Sequence, residues 1–224
     1  MASATVSTAS LQTAVHEARR EHLLEAARGE FAARGLGGAS MRDIARRAGC
    51  TTGAIYPLFP SKEALYAALL QDSLERLHAT LQAAALPART PDAALRRAAQ
   101  AFVRFYEDRP FELNLGLHAF QGLRRSALGA DFDRPLNDAL ARALDVIGRP
   151  LAATLGLDPA RARRHVTLLF SQMMGALVLH AAGRLKGRGV GPRELVRLQL
   201  GLLRQAGVSV VDTQDRRRRH DDET

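Results

Sequence analysis

Twenty residues near the N-terminus, positions 40 to 59, constrain the fold more than any other part of the chain; their sequence is SMRDIARRAGCTTGAIYPLF. Ser40 is suited to cap a short helix, with Asp43 three residues later in a capping-box pattern. Gly49 is suited to end that helix in a left-handed conformation. Thr51 can cap a second helix over 52–58. Two short helices joined by so tight a turn predict a helix-turn-helix.

The rest of the chain is predicted to be helical as well, so the fold class is all-α. Ala, Leu and Arg, which favour helices, dominate the composition. No run shows the sustained period-two alternation of a strand. Pro91, Pro159 and Pro192 stand where first-turn prolines belong. The predicted longer helices cover 17–34, 61–85, 91–107, 110–123, 132–155, 159–185 and 192–206.

The two ends of the chain are small and polar, and they predict a disordered arm over 1–16 and a disordered polar tail over 212–224. The first ten residues contain no basic residue, so we expect no signal peptide. No apolar stretch is long enough to predict a membrane span. The single cysteine, Cys50, excludes an intramolecular disulfide and favours a reducing, cytoplasmic setting. We expect Cys50 to act as a small buried hydrophobe.

The net charge of +9 is unevenly distributed. Residues 1–80 carry a net charge of +1, whereas residues 81–211 carry +9 and the tail carries −1. The global value therefore gives no support for DNA binding by the N-terminal part. The excess in the middle of the chain would suit an anionic ligand, but exposed arginines on a solvated surface explain it equally well.

The second short helix has the composition of a surface that contacts DNA. Ile44, Ala45, Ala48, Cys50, Ile55 and Phe59 are predicted to form a small core with the first helix. That leaves Thr52, Gly53, Ala54, Tyr56 and Pro57 exposed on an element that fits the major groove. The residues expected to reach phosphate are Thr51, Tyr56 and Lys62, and Arg42, Arg46 and Arg47 add a local positive face.

This segment resembles the TetR family of bacterial transcriptional regulators. The residues that carry the resemblance are Ala27, Phe31, Gly35, Ile44, Ala45, Ala48, Gly49, Gly53, Tyr56, Phe59, Lys62, Glu63 and Leu65. The resemblance implies a homodimer of about nine helices per subunit. Its DNA-binding domain would cover 17–77, and an effector-binding and dimerisation domain would cover 78–211. Leu58 and Pro57 depart from the residues that the family usually has there.

The resemblance also implies roles for individual residues. Tyr56 and Lys62 would contact phosphate, Thr52 and Gly53 would face the groove, and Arg42 would contact DNA from the start of its helix. The last two long helices would form the dimer interface, for which Val166, Leu169, Leu177, Leu195, Leu198 and Leu202 are the candidates.

An effector cavity is expected among the central helices of the C-terminal domain. Its candidate lining residues are Phe102, Phe105, Tyr106, His118, Phe120, Gln121, Phe170, Met173 and Met174. For each of them, ordinary core packing is the alternative interpretation.

No pattern in the chain indicates catalysis, so we expect no enzyme, no metal and no cofactor. Its seven histidines are scattered, and neither HExxH, CxxC nor GxSxG occurs. The predicted function is a homodimeric repressor that a small-molecule effector releases from a palindromic DNA operator. The alternatives are a helical effector-binding protein of the same fold that does not bind an operator, and a transcriptional activator.

Overall fold

The computed structural model describes residues 8–121 and 128–205, and every regular element in these ranges is a helix. The all-α prediction is therefore confirmed. The helices are α1 (Thr8–Gly38), α2 (Met41–Arg47), α3 (Thr52–Ile55), α4 (Lys62–Ala85), α5 (Pro91–Glu107), α6 (Pro110–Gln121), α7 (Ala130–Leu155), α8 (Pro159–Ala181) and α9 (192–205).

The chain divides into two compact units. One, called the head unit below, comprises residues 1–72 and 118–136, and the other, the C-terminal unit, comprises residues 73–117 and 137–224. The predicted division at 77/78 differs from this in two ways. The head unit ends five residues earlier within α4, and a later stretch, 118–136, belongs to it.

The head unit is built on a small apolar core. Ile44 and Ile55 are fully buried, and Ala27, Phe31 and Phe59 are buried with them. Phe31 of α1 and Tyr66 of α4 meet edge to face, with ring centroids 5.3 Å apart. The predicted core of the helix-turn-helix is confirmed except for Cys50, which is half-buried.

The first helix begins earlier than the sequence predicts. Residues 8–16 are helical, whereas the prediction places them in a disordered arm. No Gly or Pro interrupts residues 8–16, and Ala9, Leu11, Gln12 and Ala14 are good helix formers, so the sequence allows α1 to continue toward the N-terminus. Side chains 11–19 are exposed, which is why no apolar periodicity marks this extension. At the other end, Gly35 is non-helical with φ 66° and kinks the helix, close to the predicted end.

Helix α3 is shorter than the predicted 52–58. Its α-helical part ends at Ile55, and a turn continues to Leu58. Pro57 explains the early end, because it has no N–H to donate to the carbonyl of Gly53. The chain stays coiled nonetheless: the N–H of Phe59 donates to the Ile55 carbonyl at 2.9 Å.

The C-terminal unit is held by long helices packed through large apolar side chains. Phe102, Leu151 and Met173 are fully buried, on α5, α7 and α8 respectively. Helix α8 ends at Ala181 rather than at the predicted 185. Gly183 adopts a left-handed φ of 69°, and the N–H of Arg184 turns back to the Leu179 carbonyl at 2.8 Å. The predicted tail over 212–224 lies outside the described residues.

Candidate nucleic-acid interface

Helix α2 begins with the predicted cap. The Ser40 hydroxyl accepts a hydrogen bond from the N–H of Asp43 at 3.1 Å and donates one to the Asp43 carboxylate at 2.6 Å. At the other end, Gly49 has the expected left-handed φ of 64°. Both ends of this seven-residue helix are therefore fixed by residues that the sequence identifies.

Asp43 also forms ion pairs with two arginines. Its carboxylate pairs with Arg46 of the same helix and with Arg34 of α1, the latter at 3.4 Å. The hydrogen bond from Ser40 lowers the pKa of Asp43 most, and the two guanidinium groups lower it further, against a smaller opposing effect of burial. Asp43 thereby links the start of α2 to α1.

The outer side of α3 and its following turn is open to solvent. Gly53, Ala54 and Pro57 are exposed, and Tyr56 is 52% exposed while its neighbour Ile55 is fully buried. A Cβ added at Gly53 would meet open space. This matches the predicted exposed face, except that Thr52 is half-buried.

Thr51 precedes α3 but does not cap it with its side chain, contrary to the prediction. Its carbonyl accepts the N–H of Ala54 at 3.0 Å, while the hydroxyl makes no cap hydrogen bond. A four-residue helix has few free N–H groups, and here the backbone turn provides the cap. The Thr51 side chain is thus exposed and makes no cap hydrogen bond.

The three arginines of α2 differ in their surroundings. Arg46 is paired with Asp43, and the Arg47 guanidinium occupies the space where a Cβ at position 29 would lie, against α1. Arg42 is exposed and makes no ion pair with any described residue. Of the three, only Arg46 pairs with an acidic side chain in the described part of the chain, and of the other two only Arg47 lies against α1.

Lys62, a predicted phosphate contact, donates two hydrogen bonds within the protein. Its ammonium donates to the carbonyls of Leu36 at 2.9 Å and Ala39 at 3.2 Å. The Leu36 carbonyl belongs to the last turn of α1 and the Ala39 carbonyl to the connection with α2, where helical partners are missing. Lys62 therefore ties the start of α4 to that turn, and a phosphate contact could use only its third N–H.

Two further contacts support the helix-turn-helix, and no sequence motif announces them. The His22 ring on α1 lies with Nε2 2.9 Å from the carbonyl of Ala48, which caps α2. Arg20, one half-turn earlier, lies over the Phe59 ring at 5.6 Å. Both side chains belong to α1, and their contact partners are 26 or more residues away in sequence. Because no local pattern connects residues so far apart, these two contacts could not be predicted from the sequence.

Four of the nine predicted effector-cavity residues form a packed aromatic cluster. Phe102, Phe105 and Tyr106 are buried, with ring centroids of neighbouring pairs 5.1 Å apart, and Phe170 meets Phe102 at 5.9 Å. Burial, assisted by the nearby Glu112 carboxylate, raises the pKa of Tyr106. Their burial and ring contacts fit the alternative interpretation, which is ordinary core packing.

The other cavity candidates whose side chains are described are divided between the two units. His118 belongs to the head unit, where its ring lies 5.7 Å from that of Tyr66. Met173 is fully buried on α8 and Met174 is half-buried. The side chains of Phe120 and Gln121 lie outside the described residues.

An open groove of about 900 Å³ lies elsewhere in the C-terminal unit, and none of the predicted cavity residues lines it. Its walls come from the second half of α4, the start of α5 and the middle of α7. Most of the wall is small or apolar, including Ala79, Ala83 and Val146, and Arg142 and Arg149 stand on the α7 side.

The six predicted dimer residues separate into three groups by exposure. Leu198 and Leu202 of α9 are 57% and 60% exposed, as an interface requires in a single subunit. Leu169 and Leu177 are 1% exposed and lie in the core of their own subunit, so the prediction was wrong for them. Helix α8 is apolar on nearly all sides, and its pattern alone did not distinguish the inner stripe from the outer one. Val166 and Leu195 are half-buried, and Val166 packs against Gly148.

The outer stripe of α8 is nevertheless apolar. Leu168, Val178 and Leu179 are between 39% and 50% exposed. A Cβ added at Gly175 of α8, or at Gly201 of α9, would meet open space. These residues, with Leu198 and Leu202, are called the outer apolar face below.

Neither a metal-type cluster nor a membrane-spanning helix occurs in the described residues. Within 8–121 and 128–205, no group of three or more His, Cys, Asp and Glu side chains is arranged to hold a metal ion. In the same ranges no helix is both long and apolar enough to cross a membrane.

Comparison with known proteins identifies the helix-turn-helix. Residues 23–69 match the family model for bacterial regulatory proteins of the tetR family. The HTH-type transcriptional repressor KstR2 of Mycolicibacterium smegmatis is 42% identical over 64 residues. That match covers 29% of this chain and spans only 31% of the length of the repressor.

Solved structures extend the similarity to the whole fold. A Rhodococcus protein of unknown function superposes with a TM-score of 0.68 at 24% identity, over 84% of this chain and 94% of the other. The transcriptional regulator FadR of Bacillus subtilis, in complex with stearoyl-CoA, superposes with a TM-score of 0.63 at 18% identity, over 82% and 96%. At these identities the likeness concerns the fold. The match over residues 23–69 shows that this N-terminal segment is similar to bacterial regulatory proteins of the tetR family.

Proposed function

We propose that this protein is a homodimeric transcriptional repressor that binds a near-palindromic DNA operator and is released from it by a small-molecule effector. The observation that carries the proposal is the exposed face of α3 and its turn, with Gly53, Ala54 and Tyr56 outward and Ile55 fully buried beneath them. A short element held rigidly from below, with small residues and a hydroxyl outside, suits insertion into a major groove.

The proposed DNA contacts divide into positioning and reading. The Tyr56 and Thr51 hydroxyls and the Arg42 guanidinium bind phosphates and set the register. Thr52 and Gly53 lie at the base edges, where Thr can donate, accept or touch a thymine methyl. Gly53 leaves open space and so permits close approach of the backbone. Lys62 contributes mainly by fixing the turn before α2, through its bonds to Leu36 and Ala39.

The outer apolar face is the proposed dimer interface. Five large apolar side chains are exposed on α8 and α9, and Gly175 and Gly201 allow helices of a second copy to approach closely. An exposed apolar patch of this kind is typical of a protein interface. A two-fold dimer presents two α3 elements and therefore requires a two-fold operator.

Effector control follows from linkage. An effector that binds free protein more tightly than operator-bound protein weakens DNA binding by the same factor. A coupling of about 1–3 kcal/mol, or about 5- to 150-fold, would make a switch. The repressor role is supported by the name of the M. smegmatis relative, and a small-molecule ligand by the stearoyl-CoA complex of the B. subtilis regulator.

The direct test is selection of DNA from a random pool with the purified protein, followed by binding measurements over a range of salt concentrations. We expect an enriched inverted repeat. Arg42→Ala should reduce the slope of log K against log salt by about 0.9 for each phosphate that the arginine neutralises. Tyr56→Phe, which removes one hydrogen bond to a charged phosphate, should weaken binding by at least about tenfold.

Arg163→Ala is the matched control, because it removes the same charge from an exposed site on α8. It should leave the slope unchanged. If no sequence is enriched, the chain is a helical effector-binding protein without an operator. If Arg42→Ala and Arg163→Ala behave alike, the docking of α2 and α3 is wrong.

The dimer is tested by Leu198→Asp combined with Leu202→Asp. Charges on the outer apolar face should convert the dimer to a monomer, because a buried carboxylate without a partner is strongly unfavourable. Analytical ultracentrifugation measures this directly. Arg197→Asp, an exposed change on the same helix that removes no apolar side chain, is the comparison. A double variant that still sediments as a dimer would place the interface elsewhere.

A further inference from the structure

We propose that the groove between α4, α5 and α7 binds an amphipathic anion, whose apolar chain lies on the alanine-rich wall and whose anionic group lies against Arg142 and Arg149. This deepens the proposed function, on which its role as effector rests, and names the chemical class of the ligand. The site itself is independent of that role, since it can be tested without DNA.

The shape of the groove comes from small side chains. Ala79 and Ala83 lie one turn apart on α4, and Ala94 faces them from α5. Their short side chains leave about 900 Å³ between the helices, which is within the range of small-molecule sites. The same wall carries Leu86, which is 85% exposed, the highest value among the described large apolar residues. An apolar ligand chain would cover this surface.

The charge of the groove is concentrated on α7. Arg142 and Arg149 are two helical turns apart, so they share one face of the helix. Neither makes an ion pair within the described part of the chain. Asp145 stands between them on the same wall, but it lies beyond ion-pair distance of both. Two guanidinium groups can therefore bind one carboxylate or phosphate through paired N–H donors.

The α4 side of the groove adds polar groups at its edge. Nδ1 of His78 lies 3.1 Å from the carbonyl of Arg142, which connects α4 to α7 across the groove. Gln82, one turn further along α4, provides an amide on the same side. The site thus combines an apolar wall, two cations and hydrogen-bonding groups, an arrangement that selects a ligand with an apolar body and one anionic end.

Isothermal titration calorimetry with three probes of equal chain length tests the charge requirement. We expect decanoate to bind, decan-1-ol to bind about tenfold more weakly, and decyltrimethylammonium to bind more weakly still. Decyl phosphate, as a fourth probe, distinguishes a carboxylate from a phosphate ligand. If the alcohol binds as well as the anion, or decanoate does not bind, the proposal is wrong.

Two variants localise the binding. Arg149→Ala should weaken decanoate binding about tenfold, and Ala83→Phe should abolish it by filling the groove, whereas Arg134→Ala should have no effect. Arg134 is the matched control because it is exposed on the same helix but does not line the groove. Circular dichroism confirms that each variant is folded. Equal effects of Arg149→Ala and Arg134→Ala would overturn the assignment of the site.

The role as effector is tested separately by adding decanoate to the protein bound to selected DNA. Release of DNA by the wild type but not by Ala83→Phe supports both proposals. Decanoate binding that leaves DNA binding unchanged retains the site and rejects its role as effector. DNA binding without any decanoate binding rejects the groove site and leaves the proposed repressor intact.

Discussion

The head unit and the C-terminal unit are stabilised by different means. In the head, α2 and α3 are seven and four residues long, and caps and side-chain contacts to α1 hold them in place. Ser40, Asp43, His22 and Lys62 each bridge to a backbone or side-chain partner there. In the C-terminal unit, helices of up to 26 residues pack through fully buried side chains such as Phe102 and Leu151.

The difference reflects what each unit has to present. Short helices bury too little surface to be stable alone, so they depend on polar bonds at defined positions. Such bonds fix the orientation of α3 and leave its outer face exposed. Long helices bury enough apolar surface to need few such bonds, and small residues between them leave space for a groove. A fixed orientation of α3 suits the proposed contact with DNA, and the groove left by small residues suits the proposed ligand.

The comparison predicts its largest effect in the C-terminal unit. Phe102 is fully buried and packs against Tyr106 and Phe170. We expect Phe102→Ala to lower the free energy of unfolding by about 3–5 kcal/mol, measured by chemical denaturation, because truncation removes apolar contacts and leaves a cavity. Leu86→Ala, at an 85% exposed position, should change it by no more than about 0.5 kcal/mol. Similar values for the two variants would contradict the packing described for this unit.

A cap in each unit sharpens the comparison. Ser40 and Thr90 each accept an N–H three residues later, at 3.1 and 3.2 Å, at the starts of α2 and α5. Replacing either by Ala should cost about 1 kcal/mol. Hydrogen exchange should show the loss spread over the 17-residue α5 but concentrated in the short α2. Only Ser40→Ala should weaken DNA binding. If Thr90→Ala lowered the affinity for DNA equally, the proposed difference between the two units would be wrong.

Much of the head could be predicted from the sequence because its signals are local. Ser40 and Gly49 act on residues within four positions of themselves, and the structure has both in the expected roles. The prediction was less accurate where the partner is distant in sequence. Lys62 binds carbonyls 23 and 26 residues away, and nothing near it in sequence indicates this.

In the C-terminal unit, some helix boundaries could be predicted from the sequence, but the buried faces of the helices and the groove could not. Proline indicated the starts of helices α5 and α8, at Pro91 and Pro159. The faces of those helices could not be predicted, since α8 is apolar on most sides and Leu169 is buried whereas its neighbour Leu168 is half exposed. The groove escaped prediction for a related reason: alanines in a helix give no signal of the space that they leave.

The smallest expected effect concerns acid stability, and it compares one carboxylate in each unit. The pKa of Asp43 is lowered first by the Ser40 hydroxyl, and that of Asp158 first by the backbone N–H of Arg161. A carboxyl whose pKa is lower when folded stabilises the protein above its unfolded pKa, about 3.9, and loses that contribution as the pH falls through the folded value.

Asp43→Asn and Asp158→Asn keep the size and the hydrogen-bond acceptor but remove the charge. We therefore expect both variants to be less stable than the wild type at pH 7, with differences that shrink between about pH 5 and pH 2. Urea denaturation at a series of pH values measures this. High salt should reduce the Asp43 difference, because its arginine partners Arg34 and Arg46 are half or more exposed. A difference for Asp43→Asn that stays constant on acidification would show that the carboxylate network does not stabilise the start of α2, and the head would then depend on its apolar core alone.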